Sequence, residues 1–461
     1  MAEKLVVSVK DFGAVADIDA VQTTAFQAAI DHCFVNGGGE VQVPEGTYIL
    51  GDIRIRSNVT LHLLENAVLK GSKNPKDYRN ILTDKLEPLP ESEATDAHWY
   101  GPFEWIKMGG GFKVHLYTAG SYWNYGLIRA AFAENIALIG EKGSLIDGNN
   151  VFDPEGEEDY RGPHAVNMHF CKNVVLKGYT VKDCSNWAHA IFQSEKIRFE
   201  DLTVLAGHDA LHTRSCSDVE MLNCTLITGD DCVAGFDNIN VLVKGCEISS
   251  ACSAFRYGGY NILVEDCHIY GPCKYQFRGT FTREEKIAGV YTSSSPRARN
   301  NMLSLLTNFV TNDLPVRHAP GKIVFRNCTV QNADRFLHLN LSGNEAWQVG
   351  HPPKDITFEN IKATGISLGV YCYGDGEVPV TLNFENVEYS VREGFENDAV
   401  FKVAHFDEIN LKNVKITNFV GDTLIKTWSD GGKVNTENFE CDLKENGLIN
   451  KAEEEFKCNA I

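Results

Sequence analysis

Short alternating segments recur down this chain at a nearly fixed interval, and that interval limits its fold more than any other feature. NVVLKGYTV begins at residue 173, KIRFEDLTV at 196, DVEMLNCTL at 218, NVLVKGCEI at 240, NILVEDCHI at 261 and KIVFRNCTV at 322. Later copies are DITFENIKA at 355, VTLNFENVEY at 380 and EINLKNVKI at 408. Aligned, they place Tyr179, Leu202, Cys224, Cys246 and Cys267 at one equivalent position, with spacings of 23, 22, 22 and 21 residues. A steady period with strand-like alternation inside each unit is the signature of a solenoid. One such unit cannot bury its apolar face alone, so successive units stack on a shared core. Asn and Gly at the unit ends supply the turns. An antiparallel sandwich would show turn signals every 8–12 residues or so without this register. The expected fold is all-β, a right-handed parallel β-helix.

Stacked rungs of such a helix lie about 4.8 Å apart in the pairing direction. The stretch GHDALHTRSCSDVEMLNCTLITGDD, from Gly207 to Asp231, carries three carboxylates, and Asp209 precedes Asp230 by 21 residues. The period therefore predicts Asp209 beneath Asp230 and Asp231. Clustered carboxylates repel, which raises one pKa and leaves another group ionised. That split suits acid/base cleavage of a glycosidic bond. A lone Asp at a rung corner does no more than satisfy turn amides. Three on consecutive rungs ask for chemistry.

Solenoids lengthen by adding rungs, so 461 residues predict a single domain over 1–461. Irregular excursions interrupt it at about 79–123 and 273–320. The formal charge of −19 excludes a general nucleic-acid surface. It also means that any acidic sugar must meet a local basic patch. No stretch is long and apolar enough to span a bilayer, and MAEKLVVSVKDFG lacks the apolar run of a signal peptide. The 14 cysteines include no CxxC, and several fall at inward positions that suit a small apolar side chain. The simplest expectation is a reduced, cytoplasmic protein without a membrane or nucleic-acid partner. No His/Asp pattern has a ligand spacing, so neither metal nor cofactor is expected.

TTAFQAAIDHCF (23–34) puts Phe26, Ile30 and Phe34 on one helical face, with Thr23 or Thr24 as the cap. A helix there covers the open end of the core. The excursion at 79–123 carries Trp99, Tyr100, Phe103, Trp105, Phe112, Tyr117, Tyr122 and Trp123, which suit either a sugar-stacking wall or a self-packed loop. From Cys267 to Cys328 there are 61 residues where one repeat is due. The insert contains CKYQFRGTFTREEK (273–286), and RNNMLSLLTNFV predicts a helix over 299–310. Long excursions of this kind commonly act as lids, and this one leaves the solenoid two rungs past the Asp cluster.

Several blocks resemble family 28 glycoside hydrolases, the polygalacturonase family of pectin-lyase-like β-helix enzymes. They are DFGA at 11, TTAFQAAID, GGGEVQVPEGTY at 37, SNVTLHLLENAVLKGSKNPKDY (57–78), NYGLIRAAFAENIALIGEKGSLIDG (124–148) and GPHAVNMHFCKNVVLKGYTVKDCSNWAHA (162–190). The resemblance implies a cleft marked by N-T-D, G/Q-D-D, G-H-G and R-I-K segments. In that family the first Asp of the pair is the general acid, and the other two aspartates activate water. Here Gly229, Asp230 and Asp231 stand intact, while the N-T-D position reads Gly207, His208, Asp209. The G-H-G position reads Ala251, Cys252, Ser253, and the R-I-K position is assigned to Leu337, His338, Leu339. The acids remain and the cations that would grip a galacturonate are missing. Either other cations hold the carboxylate, with Arg256, Lys274 and Arg278 as candidates, or the sugar differs. His189 matches a cleft-floor histidine of the family, and His208 and His212 flank Asp209, so all three are sugar-contact candidates.

The reading that follows is an inverting glycoside hydrolase for plant cell-wall, pectic-type oligosaccharides, exo-acting on short imported fragments. A lyase or epimerase on the same scaffold would need cations to stabilise a carbanion. A non-catalytic carbohydrate-binding β-helix would not need three aspartates at matching spacing.

Overall fold

The computed structural model describes residues 5–79, 125–288, 301–309, 316–340, 351–421, 423–427, 429–442 and 447–451. The aromatic segment expected as an excursion lies, from residue 80 on, outside the described residues. The chain forms two compact units, Met1–Thr228 with Gln276–Ala298, and Gly229–Tyr275 with Arg299–Ile461. Each is built from parallel strands of the β-helix fold that the repeat predicts.

In the first unit, Lys172–Lys177 pairs in parallel with Glu134–Gly140 on one side and Glu195–Glu200 on the other, and the latter pairs with Ser217–Leu222. Ile136, Val174, Ile197 and Val219 fall in one column, and Leu138, Leu176, Phe199 and Met221 in the next. All eight are buried. Each side chain of this size contributes roughly 1.5–3 kcal/mol by leaving water. The alternation read from the sequence is thus the alternation of core and surface.

In the second unit the column Val241, Ile262, Ile323, Ile356, Leu382 and Ile409 does the same. Beside it, Cys246, Cys267 and Cys328 are buried thiols that form no disulfide. They stand where later rungs place Ile361, Val387 and Val414, so here cysteine serves as a small apolar residue.

Corners of successive rungs are turned by residues in the left-handed region, which costs an ordinary L-residue about 1–2 kcal/mol. Asn and Asp tolerate it, and they recur there. Asp266, Asn327, Asn360, Asn386, Asn413 and Asn438 all have φ between 49° and 56°. Each asparagine Nδ2 donates to the oxygen one rung back, at 3.2 Å from Asn327 to Asp266 and 2.9–3.0 Å higher up. Asn58, Asn135 and Asn173 form a shorter ladder in the first unit.

The capping helix, Thr23–Val35, buries Phe26, Ala29, Ile30 and Cys33. Phe34 is only half-buried, under the Arg56 guanidinium at 4.3 Å. The cap is Gln22 rather than Thr23 or Thr24, and its side chain does not bond the helix. It exchanges two hydrogen bonds with the Val15 backbone instead, while Thr23 Oγ1 accepts from Gly51 N at 2.9 Å.

A second correction concerns the insert. Met302–Asn308 is a parallel strand, not a helix, and it stacks between Ser253–Glu265 and Ala333–Asn340. Rung pairing on both sides outweighs the helical preference of its Leu and Met residues.

Candidate functional site

Asp231 is 1% exposed in the second unit, and both its oxygens are engaged. Oδ1 accepts from Ser253 N at 2.9 Å, and Oδ2 lies 3.6 Å from Arg256 Nη1. Arg256 stacks over Ala234 in the register, one rung above, and its guanidinium sits 4.9 Å from the Phe309 ring centre. The Ser253 amide and the Arg256 guanidinium thus each meet one oxygen of this buried carboxylate. Asp230 is half-buried; its carbonyl accepts from the Ser250 hydroxyl at 2.6 Å, and Ser250 Oγ in turn accepts from Cys252 N at 2.7 Å. That hydroxyl ties the segment bearing the acid to the segment one rung on that bears the thiol. Carboxylate oxygens of Asp230 and Asp231 and Sγ of Cys252 all lie within 4.8 Å of one another. Such a set can approach one cation, but Arg256 and Ser253 already occupy Asp231.

The strand stacked directly on Ser253–Tyr257 is Met302–Asn308, which puts Leu337–Leu339 two rungs away from the Cys252 segment. Leu337 and Leu339 are core residues. His338 is 1% exposed, and its Nδ1 accepts from Arg335 Nη1 at 3.0 Å. Burial first, then Arg335 and Arg256, push its pKa down to about 3. Arg335 itself is 7% exposed. The sequence reading passed over this cation, two residues before the position it assigned to R-I-K. Lys274 is exposed on the same unit.

Asp209 belongs to the first unit and is 4% exposed. His212 Nδ1 lies 2.9 Å from its Oδ2, and the imidazole lies flat on Trp187, with centroids 3.7 Å apart at 6°. The acid is therefore held from a rigid ring. His189, proposed as a sugar contact, is a core residue. Nδ1 donates to the Ala210 carbonyl at 3.1 Å and Nε2 accepts from Tyr179 O–H at 2.9 Å, so both nitrogens are engaged inside. Burial pushes its pKa down to about 4.

His208 stands in different surroundings. It is fully buried, and neither ring nitrogen has a hydrogen-bond partner among the described residues. Tyr160 lies beside it, centroids 6.1 Å apart, and Lys286 Nζ sits 3.6 Å over the Tyr160 ring. Arg161 lies 6.0 Å from that ring, bonded to Glu158 and to Asn186 Oδ1. Arg278 is 2% exposed; its N donates to the Gly207 carbonyl at 3.2 Å and its Nη1 to the Cys184 carbonyl at 2.7 Å. Burial, then Arg161, Arg278 and Lys286, hold His208 well below the usual imidazole pKa.

Arg278 was a sequence candidate; Arg161, Tyr160 and Lys286 were not. A signal was present for Lys286. Thr282 and Glu285 form a capping box, Glu285 N to Thr282 Oγ1 at 3.2 Å and Thr282 N to Glu285 Oε2 at 2.7 Å. It starts the short helix Arg283–Ala288 that carries the lysine.

Residues 108–270 match the glycosyl hydrolases family 28, and residues 6–75 match rhamnogalacturonase A/epimerase, pectate lyase-like proteins. An exo-poly-alpha-D-galacturonosidase of Dickeya chrysanthemi is 38% identical over 415 residues, spanning 78% of this chain and 68% of that one. A probable polygalacturonase of Vitis vinifera is 26% identical over 249 residues, 51% of this chain. This chain spans only 45% of the grape protein's length. Among solved structures, a family 28 exopolygalacturonase of Yersinia enterocolitica superposes with a TM-score of 0.64 at 17% identity. That match covers 94% of this chain and 78% of the other, and at such identity it is a likeness of fold.

Proposed function

This chain belongs to glycosyl hydrolase family 28, and from that premise we propose that it is an inverting hydrolase that removes sugars from the ends of pectic-type oligosaccharides. The observation that carries the reading is the 38% identity, over 78% of the chain, to a relative named as an exo-poly-alpha-D-galacturonosidase. In the reaction, Asp230 donates its proton to the glycosidic oxygen as the carbon–oxygen bond breaks. Asp209 and Asp231 take a proton from water, which attacks the anomeric carbon from the opposite face. The surroundings of each acid support these roles. Asp231 is held by the Ser253 amide and paired with Arg256, and Asp209 is fixed by His212. Asp230 is the more accessible of the adjacent pair. The buried thiols suit a reducing, cytoplasmic setting, in which the substrate would be short imported fragments.

The test is a panel of pectic oligosaccharides followed in two ways. Release of new reducing ends, with the product anomer inverted by NMR at early times, is the expected result. Ultraviolet absorbance from an unsaturated uronate would mean a lyase, and binding without either signal would mean a carbohydrate-binding β-helix.

A further inference from the structure

The chain as a whole is strongly acidic, with a formal charge of −19, yet one buried region of the first unit gathers cations. Arg161 and Arg278 are 5% and 2% exposed, and Lys286 is half-buried over the Tyr160 ring. Glu157 and Glu158 meet Arg161 from one side, at 3.6 and 3.0 Å. Placing cations out of water is costly unless an anion or hydrogen bonds compensate them. Between them stands His208, with two buried nitrogens that have no hydrogen-bond partner among the described residues. A neutral imidazole offers one N–H donor and one acceptor, which suits a carboxylate oxygen on one side and a sugar hydroxyl on the other.

We propose that Arg161, Arg278 and Lys286, grouped with Tyr160 and His208, form an anion subsite that takes the carboxylate of a uronate residue. The subsite lies at the segment Gly207–Asp209, so the carboxylate it holds belongs to a sugar bound next to Asp209. Lys286 forms its accessible edge, and a pocket bordered by Tyr78, Tyr125 and Arg161 adjoins it. The subsite provides, from the insert, the positive charge that the sequence lacks at its expected position. This rests on the reading of the chain as a hydrolase for pectic sugars.

The test is binding by calorimetry, in the full chain carrying Asp230→Asn to stop turnover. The ligands are trigalacturonate and its methyl ester, which differ in charge and little in shape. The parent is expected to prefer the unesterified ligand. Adding Lys286→Met should remove about tenfold to a hundredfold of that preference, as loss of a charge-assisted contact does. Lys286→Arg should restore most of it. Thermal melts of each variant separate lost binding from lost structure. In the parent, ligand binding should also raise the pKa of His208 followed by NMR, because the new negative charge offsets the three cations. No preference in the parent, or a preference unchanged by Lys286→Met, overturns the proposal. Hydrolysis by the wild-type chain is scored separately. A chain that hydrolyses nothing but loses its preference with Lys286→Met overturns the catalytic reading and keeps the subsite. The reverse pattern does the opposite.

Discussion

Arg278 lies so close over Gly207 that a β-carbon at that glycine would stand 2.1 Å from its Cγ and 2.5 Å from its Cδ. The insert thus docks on a spot that a glycine leaves open.

Gly207→Ala should therefore loosen residues 276–288. Overpacking of this kind costs about 1–3 kcal/mol. A lowered melting temperature, with faster proteolytic cleavage within 276–288, is the expected result. An unchanged melt and cleavage rate would show that the guanidinium stem moves aside freely.

Asp230→Asn removes a proton donor and almost no volume. Turnover should fall about a hundredfold to ten-thousandfold, the usual worth of a general acid, while the melt stays near wild type. Activity within tenfold of wild type would place the acid elsewhere.

Cys252 is partly exposed, with Sγ within 4.8 Å of carboxylate oxygens of Asp230 and Asp231. Alkylation with iodoacetamide should add a group against both acids and abolish turnover, and bound substrate should slow it. Cys252→Ser should keep activity and resist the reagent. Inactivation of Cys252→Ser at the wild-type rate would assign the effect to another thiol.

His189 makes the fold sensitive to acid. Above pH 6.5 neither the folded nor the unfolded state carries its proton, and the group has no effect. As pH falls from 6.5 towards 4, the unfolded chain gains a proton that the folded chain refuses, so stability is lost progressively. A shift from 6.5 to about 4 corresponds to about 3 kcal/mol over that window. His189→Gln should be less stable at pH 7 but lose less on going to pH 5, as read from urea midpoints. A parallel loss in both proteins would show that other groups dominate.

The repeat was legible because one side-chain column serves every rung. Thr180, Thr203 and Thr225 pair in register, which puts Tyr179, Leu202 and Cys224 where their spacing had put them. What escaped was whatever the period does not govern. Met302–Asn308 carries Leu and Met at spacings a helix could use, and only pairing with Ser253 and Ala333 neighbours makes it a strand. Arg161 adjoins Tyr160 in sequence, but Lys286 lies 125 residues beyond Arg161, and nothing local marks that lysine as a partner of the same tyrosine. Arg335 stands two residues before the R-I-K position, and only its bond to His338 marks it. Near the acids, local order carried more: Asp231, Ser253 and Arg256 follow from a single rung step.

The column of Cys246, Cys267 and Cys328 gives the molecule a built-in clock. Thiols packed beneath a continuous ladder react with an alkylating reagent only when their rung opens. Because these three belong to successive rungs, the order in which they become labelled would record whether the coil frays from one end or parts in the middle.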